Sequence, residues 1–258
     1  MNSADQSPHP PAHWTIRRFD EIPSTNDSIL EAARLGEPDW TVHIARRQSR
    51  GRGRAGHSWW SPEDRGLWMS ILLRPRVDGR RLGALALVTG IAVKGALESL
   101  GARPIDVFWP NDLYHRGRKL GGILCEARSH GPVLAVAVGV GVNLDLEGAD
   151  TPQELQGAVA SLSDAGAARQ EPEAVAVRIL ECLHPLYGAL ENGASIPALI
   201  QGGLAGIGGP VRVRLPGLET WTGMAVGIGE QGELLVLRDG GGTEALLSAD
   251  VEYLPRPF

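Results

Sequence analysis

The stretch Gly51-Arg52-Gly53-Arg54-Ala55-Gly56-His57-Ser58-Trp59-Trp60-Ser61-Pro62 decides between two folds. Its glycines spell Gly-x-Gly-x-x-Gly, which marks a dinucleotide-binding doubly wound sheet only when a strand precedes it and a helix opens within it. Val42-His43-Ile44-Ala45 reads as the preceding strand. His57 to Pro62, with two tryptophans and a proline, is a poor helix start. The doubly wound reading fails there, and the chain carries no Walker-type phosphate loop. What remains is an anion-binding loop. Glycines let backbone N–H groups approach an anion closely, and arginine forks bind carboxylate or phosphate through paired hydrogen bonds, each contributing about 1.5–3 kcal/mol.

The charge balance sharpens this. The chain has 258 residues and a formal net charge of −5, which argues against a general nucleic-acid or membrane-surface binder. Yet Arg46 to Arg54 holds five arginines and no acidic residue. A cationic patch in an acidic chain points to a specific anionic ligand; a solvated basic turn is the alternative. Trp59 or Trp60 could stack on a base, or simply pack in the core.

Working outward, Trp14 to Phe19 reads as a strand. A helix with Asn26 as its cap and Gly36 as its stop follows. Leu67 to Leu73 is a further strand, and Arg81 to Leu100 a helix apolar nearly all round in its first half, hence buried. Asp106 to Trp109 is a short strand. Lys119 to Ala127 and Val133 to Val142 form an adjacent strand pair turned at Ser129-His130-Gly131, the second continuously apolar and therefore central. Pro172 to Asn192 is an amphipathic helix. From about Gly202 the chain becomes glycine-rich, with short strands at Val211–Leu215, Thr220–Ile228, Glu233–Leu237 and Glu244–Leu247. The expected fold is α+β: a mixed β-sheet with packed helices over 13–201, then a small β-barrel over 202–258. Residues 1–12 are polar and proline-rich and read as a disordered tail.

Cys125 and Cys182 are too few for a disulfide scaffold or a cysteine-built metal site. No signal peptide is evident, and the most apolar run, Leu82 to Val93, is too short to cross a bilayer. A cytoplasmic protein without membrane contact is expected.

Two further clusters carry polar chemistry. Trp109-Pro110-Asn111-Asp112-Leu113 is followed by Lys119-Leu120-Gly121-Gly122-Ile123, so Asp112 and Lys119 can face one pocket if their strands are neighbours. A type I turn with a structural salt bridge is the alternative. Gly139-Val140-Gly141-Val142-Asn143 has glycines that let a strand pass close to a ligand or another backbone.

Together, Ser24-Thr25-Asn26, the segment Gln48 to Trp59, Trp109 to Leu113, Lys119 to Leu124 and Gly139 to Asn143 resemble the biotin protein ligase family. The short form, without an N-terminal DNA-binding domain, fits best, since only about 12 residues precede Trp14; no specific DNA binding is expected. The resemblance implies a class II synthetase-like catalytic domain and an SH3-like C-terminal barrel. It implies that biotin and ATP form biotinyl-5′-AMP, and that biotin then passes to a lysine of a biotin carboxyl carrier domain of a biotin-dependent carboxylase.

The resemblance also assigns residues. Ser24, Thr25, Asn26 and Gln48 would contact biotin. Gly51, Arg52, Gly53 and Arg54 would hold the carboxylate and phosphates, and Lys119 would stabilise charge at the reacting centre. Gly121, Gly122, Trp59 and Asn143 would lie near the ligands. Asp112 would either orient the incoming amine or help hold Mg2+. His57 stands where the family commonly has an arginine, so its contribution should be largest when protonated. Phe108 stands where a lysine is common. Two alternatives remain: a lipoate-type ligase on the same fold, and a biotin-binding module with weak or no transfer. A homodimer is neither required nor excluded by the residues.

Overall fold

The computed structural model describes residues 14–130, 133–215, 217 and 219–254. The expected tail at 1–12 lies outside them. The first unit is a seven-stranded sheet in the order β1-β2-β3-β7-β6-β5-β4. Its strands are β1 (Thr15–Ile22), β2 (Thr41–Gln48), β3 (Gly66–Leu73), β4 (Asp106–Phe108), β5 (Asp112–His115), β6 (Arg118–His130) and β7 (Val133–Asn143). β1 and β2 are parallel, joined by the crossover helix α1 (Thr25–Arg34); every other neighbouring pair is antiparallel, so the sheet is mixed as expected.

β7 sits at the centre, and its sequence shows why the sheet is covered on both faces. Val136, Val138, Val140 and Val142 alternate into the main core with α2 (Ala84–Ser99) and α3 (Pro172–Glu191). Ala135 and Ala137, on the opposite face, pack with Ile29, Leu30 and Ala33 of α1. Gly139 and Gly141 continue that second face, where the small side chains open a depression instead of a core. β3, hydrogen-bonded between β2 and β7, is buried along its whole length, which its unbroken apolar run Leu67–Leu73 already implied, Ser70 excepted.

Several expectations need correcting. The cap of α1 is Ser24, not Asn26; Asn26 lies in the first turn, and Gly36 (φ 86°) follows the C-cap Leu35. The strand β5 has no counterpart in the sequence reading, which ended the preceding strand at Trp109. It pairs with both β4 and β6 and is joined to β6 through Arg116 and Gly117, both at positive φ, a mirror-image hairpin turn. Ser129 and His130 belong to β6 rather than to a turn, while Gly131 lies outside the described residues.

The second unit is a five-stranded antiparallel sheet, β11-β10-β9-β8-β12. It is built from β8 (Pro210–Arg214), β9 (Trp221–Ile228), β10 (Leu234–Arg238), β11 (Thr243–Leu246) and β12 (Asp250–Tyr253). β12 has no counterpart in the sequence reading, because four residues of mixed polarity carry little period-2 signal. Phe108, at the end of β4, packs on Tyr253 of β12 and on Tyr114 of β5, with ring centroids 4.6 and 5.5 Å away. The position where a lysine was expected is thus a hydrophobic joint between the two sheets. No helix among the described residues is long and apolar enough to cross a membrane. Both cysteines are free thiols packed against the main core.

One buried group makes the fold pH-sensitive. His43 of β2 is 3% exposed, with Nδ1 2.8 Å from the Ser28 hydroxyl. Burial, reinforced by Arg17, pushes its imidazolium pKa down to about 4. The unfolded chain takes up this proton near the ordinary histidine value, the folded chain only near 4, so stability falls as pH drops from about 6.5 to 4. The expected loss is on the order of 2–3 kcal/mol. Urea unfolding across that range should reveal it, and His43→Asn should flatten the profile; an equally steep profile in the variant would assign the effect elsewhere.

Candidate active site

A cavity of about 620 Å³ lies where the small face of β7 meets the loop between β2 and β3, with the C-terminal sheet as its outer wall. Its inner end is built by the first turn of α1. The β1–α1 crossover brings Ser24, Thr25 and Asn26 there, each only 4% exposed. The Thr25 backbone N–H and hydroxyl both donate to Gln48 Oε1, at 2.8 and 3.0 Å. Gln48 Nε2 donates in turn to Ser61 Oγ at 3.0 Å. The Ser70 hydroxyl lies 2.7 Å from Thr25 Oγ1 and 2.5 Å from Asn26 Oδ1 and gives its single proton to one of them. Asn26 Nδ2 donates to Leu124 O and to Glu126 Oε2. These bonds fix each side chain before any ligand arrives, which lowers the ordering cost of binding.

The arginine–glycine loop is a tight excursion rather than a flexible turn. Arg52 bridges Ser58, Trp59 N–H donates to Gly51 O, and Gly53 N–H donates to His57 O. Ala55 and Gly56 turn the chain at positive φ. Arg52 forms a bidentate pair with Asp27 at 2.7 and 2.9 Å and a second bond to Glu126 at 2.9 Å. The Arg52 guanidinium, foremost among several influences, holds the Asp27 carboxyl below the usual range. Arg54 instead reaches neutral partners, Asn111 Oδ1 at 3.5 Å and Ser248 Oγ of the C-terminal unit at 3.2 Å.

Asp112 and Lys119 do come together, because the β5–β6 hairpin folds them onto one face: Lys119 Nζ is 2.8 Å from Asp112 Oδ1 and 5.6 Å from the centre of the Trp59 ring. Trp59 lines the cavity and stands edge-on to Trp68; Trp60 is not among the lining residues.

Of the residues singled out in the sequence, Ser24, Thr25, Asn26, Gln48, Arg52, Gly53, Arg54, His57, Trp59, Asp112, Lys119 and Gly122 all line this cavity. Three do not. A Cβ on Gly51 would fall 2.6 Å from Trp59 O, and one on Gly121 2.6 Å from Gly141 O, so these glycines serve close chain approach. Asn143 is buried and donates to Ala160 O at 2.9 Å, anchoring the loop after β7. Sequence reasoning missed Ser70, Asp27 and Glu126, which hold the recognised residues in place. It also missed the outer wall: Arg212, Arg214, Ser248, Asp250 and Glu252. The alternation Val211-Arg212-Val213-Arg214 was the one available signal that two cations share a strand face.

Comparison with known proteins agrees with the geometry. Residues 19–143 match the Biotin/lipoate A/B protein ligase family model and residues 206–253 the Biotin protein ligase C terminal domain model. The chain is 35% identical over 237 residues to the bifunctional ligase/repressor BirA of Bacillus spizizenii, covering 90% of this chain and 72% of that protein. It is 34% identical to the biotin–[acetyl-CoA-carboxylase] ligase of Mycobacterium tuberculosis, covering 90% of this chain and 86% of the relative. Among solved structures, the biotin protein ligase from Aquifex aeolicus in complex with biotin and ATP superposes with a TM-score of 0.79 at 26% identity, covering 93% of this chain and 99% of that one. With both family models in order along the chain, and relatives of 34–35% identity spanned over more than two thirds of their length, the chain belongs to the biotin protein ligase family.

Proposed function

We propose that the protein is an ATP-dependent biotin protein ligase that acts in the cytoplasm. It forms biotinyl-5′-AMP and transfers the biotinyl group to a lysine of a biotin carboxyl carrier domain. The observation that carries this reading is the convergence of three groups on one cavity: the polar end Ser24–Asn26 with Gln48, the arginine loop, and Lys119. In this reading residues 13–201 hold the chemistry and 202–258 cover it.

In the first step a biotin carboxylate oxygen attacks the α-phosphorus of ATP. The new C–O–P linkage forms, the bond to the bridging oxygen breaks, and pyrophosphate leaves. The carboxylate is ionised at neutral pH, so no general base is needed. The obstacle is repulsion between two anions, about 4 kcal/mol per unit charge pair at 4 Å and an effective dielectric near 20. Lys119 and the Arg52 guanidinium offset it, Arg54 faces the remaining phosphates, and Lys119 opposes the charge that builds on the α-phosphate. In the second step the acceptor amine attacks the acyl carbon and AMP departs. Asp112, fixed beside Lys119, orients that amine or receives its proton.

No group of three His, Cys, Asp or Glu that could hold a metal ion by itself occurs among the described residues. Magnesium would arrive with the triphosphate, and Asp112, a lining carboxylate beside Lys119, would help hold it; no step is routed through the ion.

Incubation with ATP and magnesium should release pyrophosphate only when biotin is present, and much less with lipoate. Equal release with lipoate would favour the lipoate-type reading, and biotin binding without release would leave only a binding module.

A further inference from the structure

The cations lining the cavity sort themselves by their partners. Arg52 is neutralised by Asp27 and Glu126, Lys119 by Asp112, and Arg212 by Glu252 at 2.6 Å. Arg54 touches only the neutral Asn111 and Ser248. The Arg214 side chain of β8 makes no hydrogen bond or ion pair with any described residue; Asp250 is its register partner across the β8–β12 ladder without an ion pair between them. Two lining arginines, one from the loop between β2 and β3 and one from β8 of the second sheet, therefore present uncompensated charge. A cation already paired attracts a multivalent anion weakly, because its partner repels the newcomer; an unpaired one attracts it at full strength.

We propose that Arg54 and Arg214 form a polyphosphate clamp across the two sheets, taking the β- and γ-phosphates of ATP and retaining them as pyrophosphate departs. The new element is Arg214, and the proposal rests on the ligase reading above. The two arginines are linked by the chain itself: Arg54 bonds Ser248, two residues before Asp250, the register partner of Arg214. The outer wall is held in place independently of ligand. Phe108 packs on Tyr253, Trp109 Nε1 donates to Gly232 O at 2.9 Å, and Ala205 N–H donates to Val107 O at 2.8 Å. Planar guanidinium forks suit a row of phosphate oxygens, so lysine is only a partial substitute. The carboxylate-paired Arg52 and Lys119 are left to the less charged reacting groups.

Calorimetry with inorganic pyrophosphate, ATP and biotin on the full chain tests this. Arg214→Gln should weaken pyrophosphate and ATP binding about tenfold, equivalent to about 1.4 kcal/mol, while Arg214→Lys recovers part of the loss. Biotin affinity should not change. Pyrophosphate and ATP affinities within about twofold of the unmodified protein in Arg214→Gln would overturn the proposal, as would an equal loss of biotin affinity. Failure of the ligase reading is separately visible, as absence of biotin-dependent pyrophosphate release by the unmodified protein.

Discussion

Lys119→Ala is expected to lower the rate of biotin-dependent pyrophosphate release by on the order of 10²–10³-fold, the usual effect of removing one group that stabilises transition-state charge. Two effects combine. The ammonium opposing charge on the α-phosphate is lost, and Asp112, 2.8 Å from it in the intact protein, becomes an unpaired carboxylate facing a phosphate. The variant Lys119→Ala/Asp112→Asn separates them: if the orphaned carboxylate adds to the barrier, the double variant is faster than the single one. Lys119→Arg should restore little, because a planar fork cannot place a point charge where the ammonium sat. Biotin binding should survive, since in the proposed reading biotin is held at the inner end of the cavity by Ser24, Thr25, Asn26 and Gln48. Single-turnover pyrophosphate release, with biotin affinity measured alongside, reads both; an undiminished rate in Lys119→Ala would remove this residue from the reacting centre.

Gly141→Val should both destabilise the protein and abolish turnover. Strand propensity alone forecasts the opposite, because valine favours an extended backbone that glycine weakens. Space decides the sign. A Cβ at Gly141 would lie 2.8 Å from Trp59 Cε2 and 2.9 Å from Cζ2 and Nε1, closer than real Cβ atoms come. Trp59 is backed by Trp68, whose ring centre is 6.4 Å away at 71°, so it can yield only by swinging into the cavity. Overpacking of this kind costs about 1–3 kcal/mol, and for a chain of this size each kcal/mol lowers Tm by roughly 2–4 °C. Gly122→Ala serves as the control, since its Cβ would make ordinary contacts at 3.5 Å with Asp112 and Trp59. A rise in Tm for Gly141→Val, with activity intact, would show that the depression is wider than these contacts imply.

Much of this site could be read from the chain because its chemistry is concentrated in short motifs. Ser24-Thr25-Asn26, Arg52 to Trp59, Asp112 and Lys119 each announce a polar function in a local frame, and the last two could share one pocket on the condition that their strands were neighbours. The central strand was equally legible, since Val133–Val142 has no polar break. What stayed hidden depends on partners distant in sequence. Glu126 looks like an ordinary strand residue until Asn26 and Arg52, 100 and 74 residues away, are placed beside it. Asn143 looked like a ligand contact and turned inward, because the loop carrying Ala160 needed a donor. The β5–β6 hairpin was missed because Arg116, not the usual asparagine or aspartate, occupies its first positive-φ position.

The hydrogen bond from Arg54 to Ser248 spans 194 positions of sequence. Such a contact is among the last that folding can reward, since loop closure has to precede it. A pocket walled in this way has no partial version: a chain that has folded only its first sheet lacks the outer wall and half of the cationic rim. Ligand affinity then reports completion of the whole chain, and by linkage any ligand that spans both walls stabilises the finished molecule over every intermediate. For a protein that would make a reactive acyl adenylate, this couples the chemistry to the state in which both walls are in place.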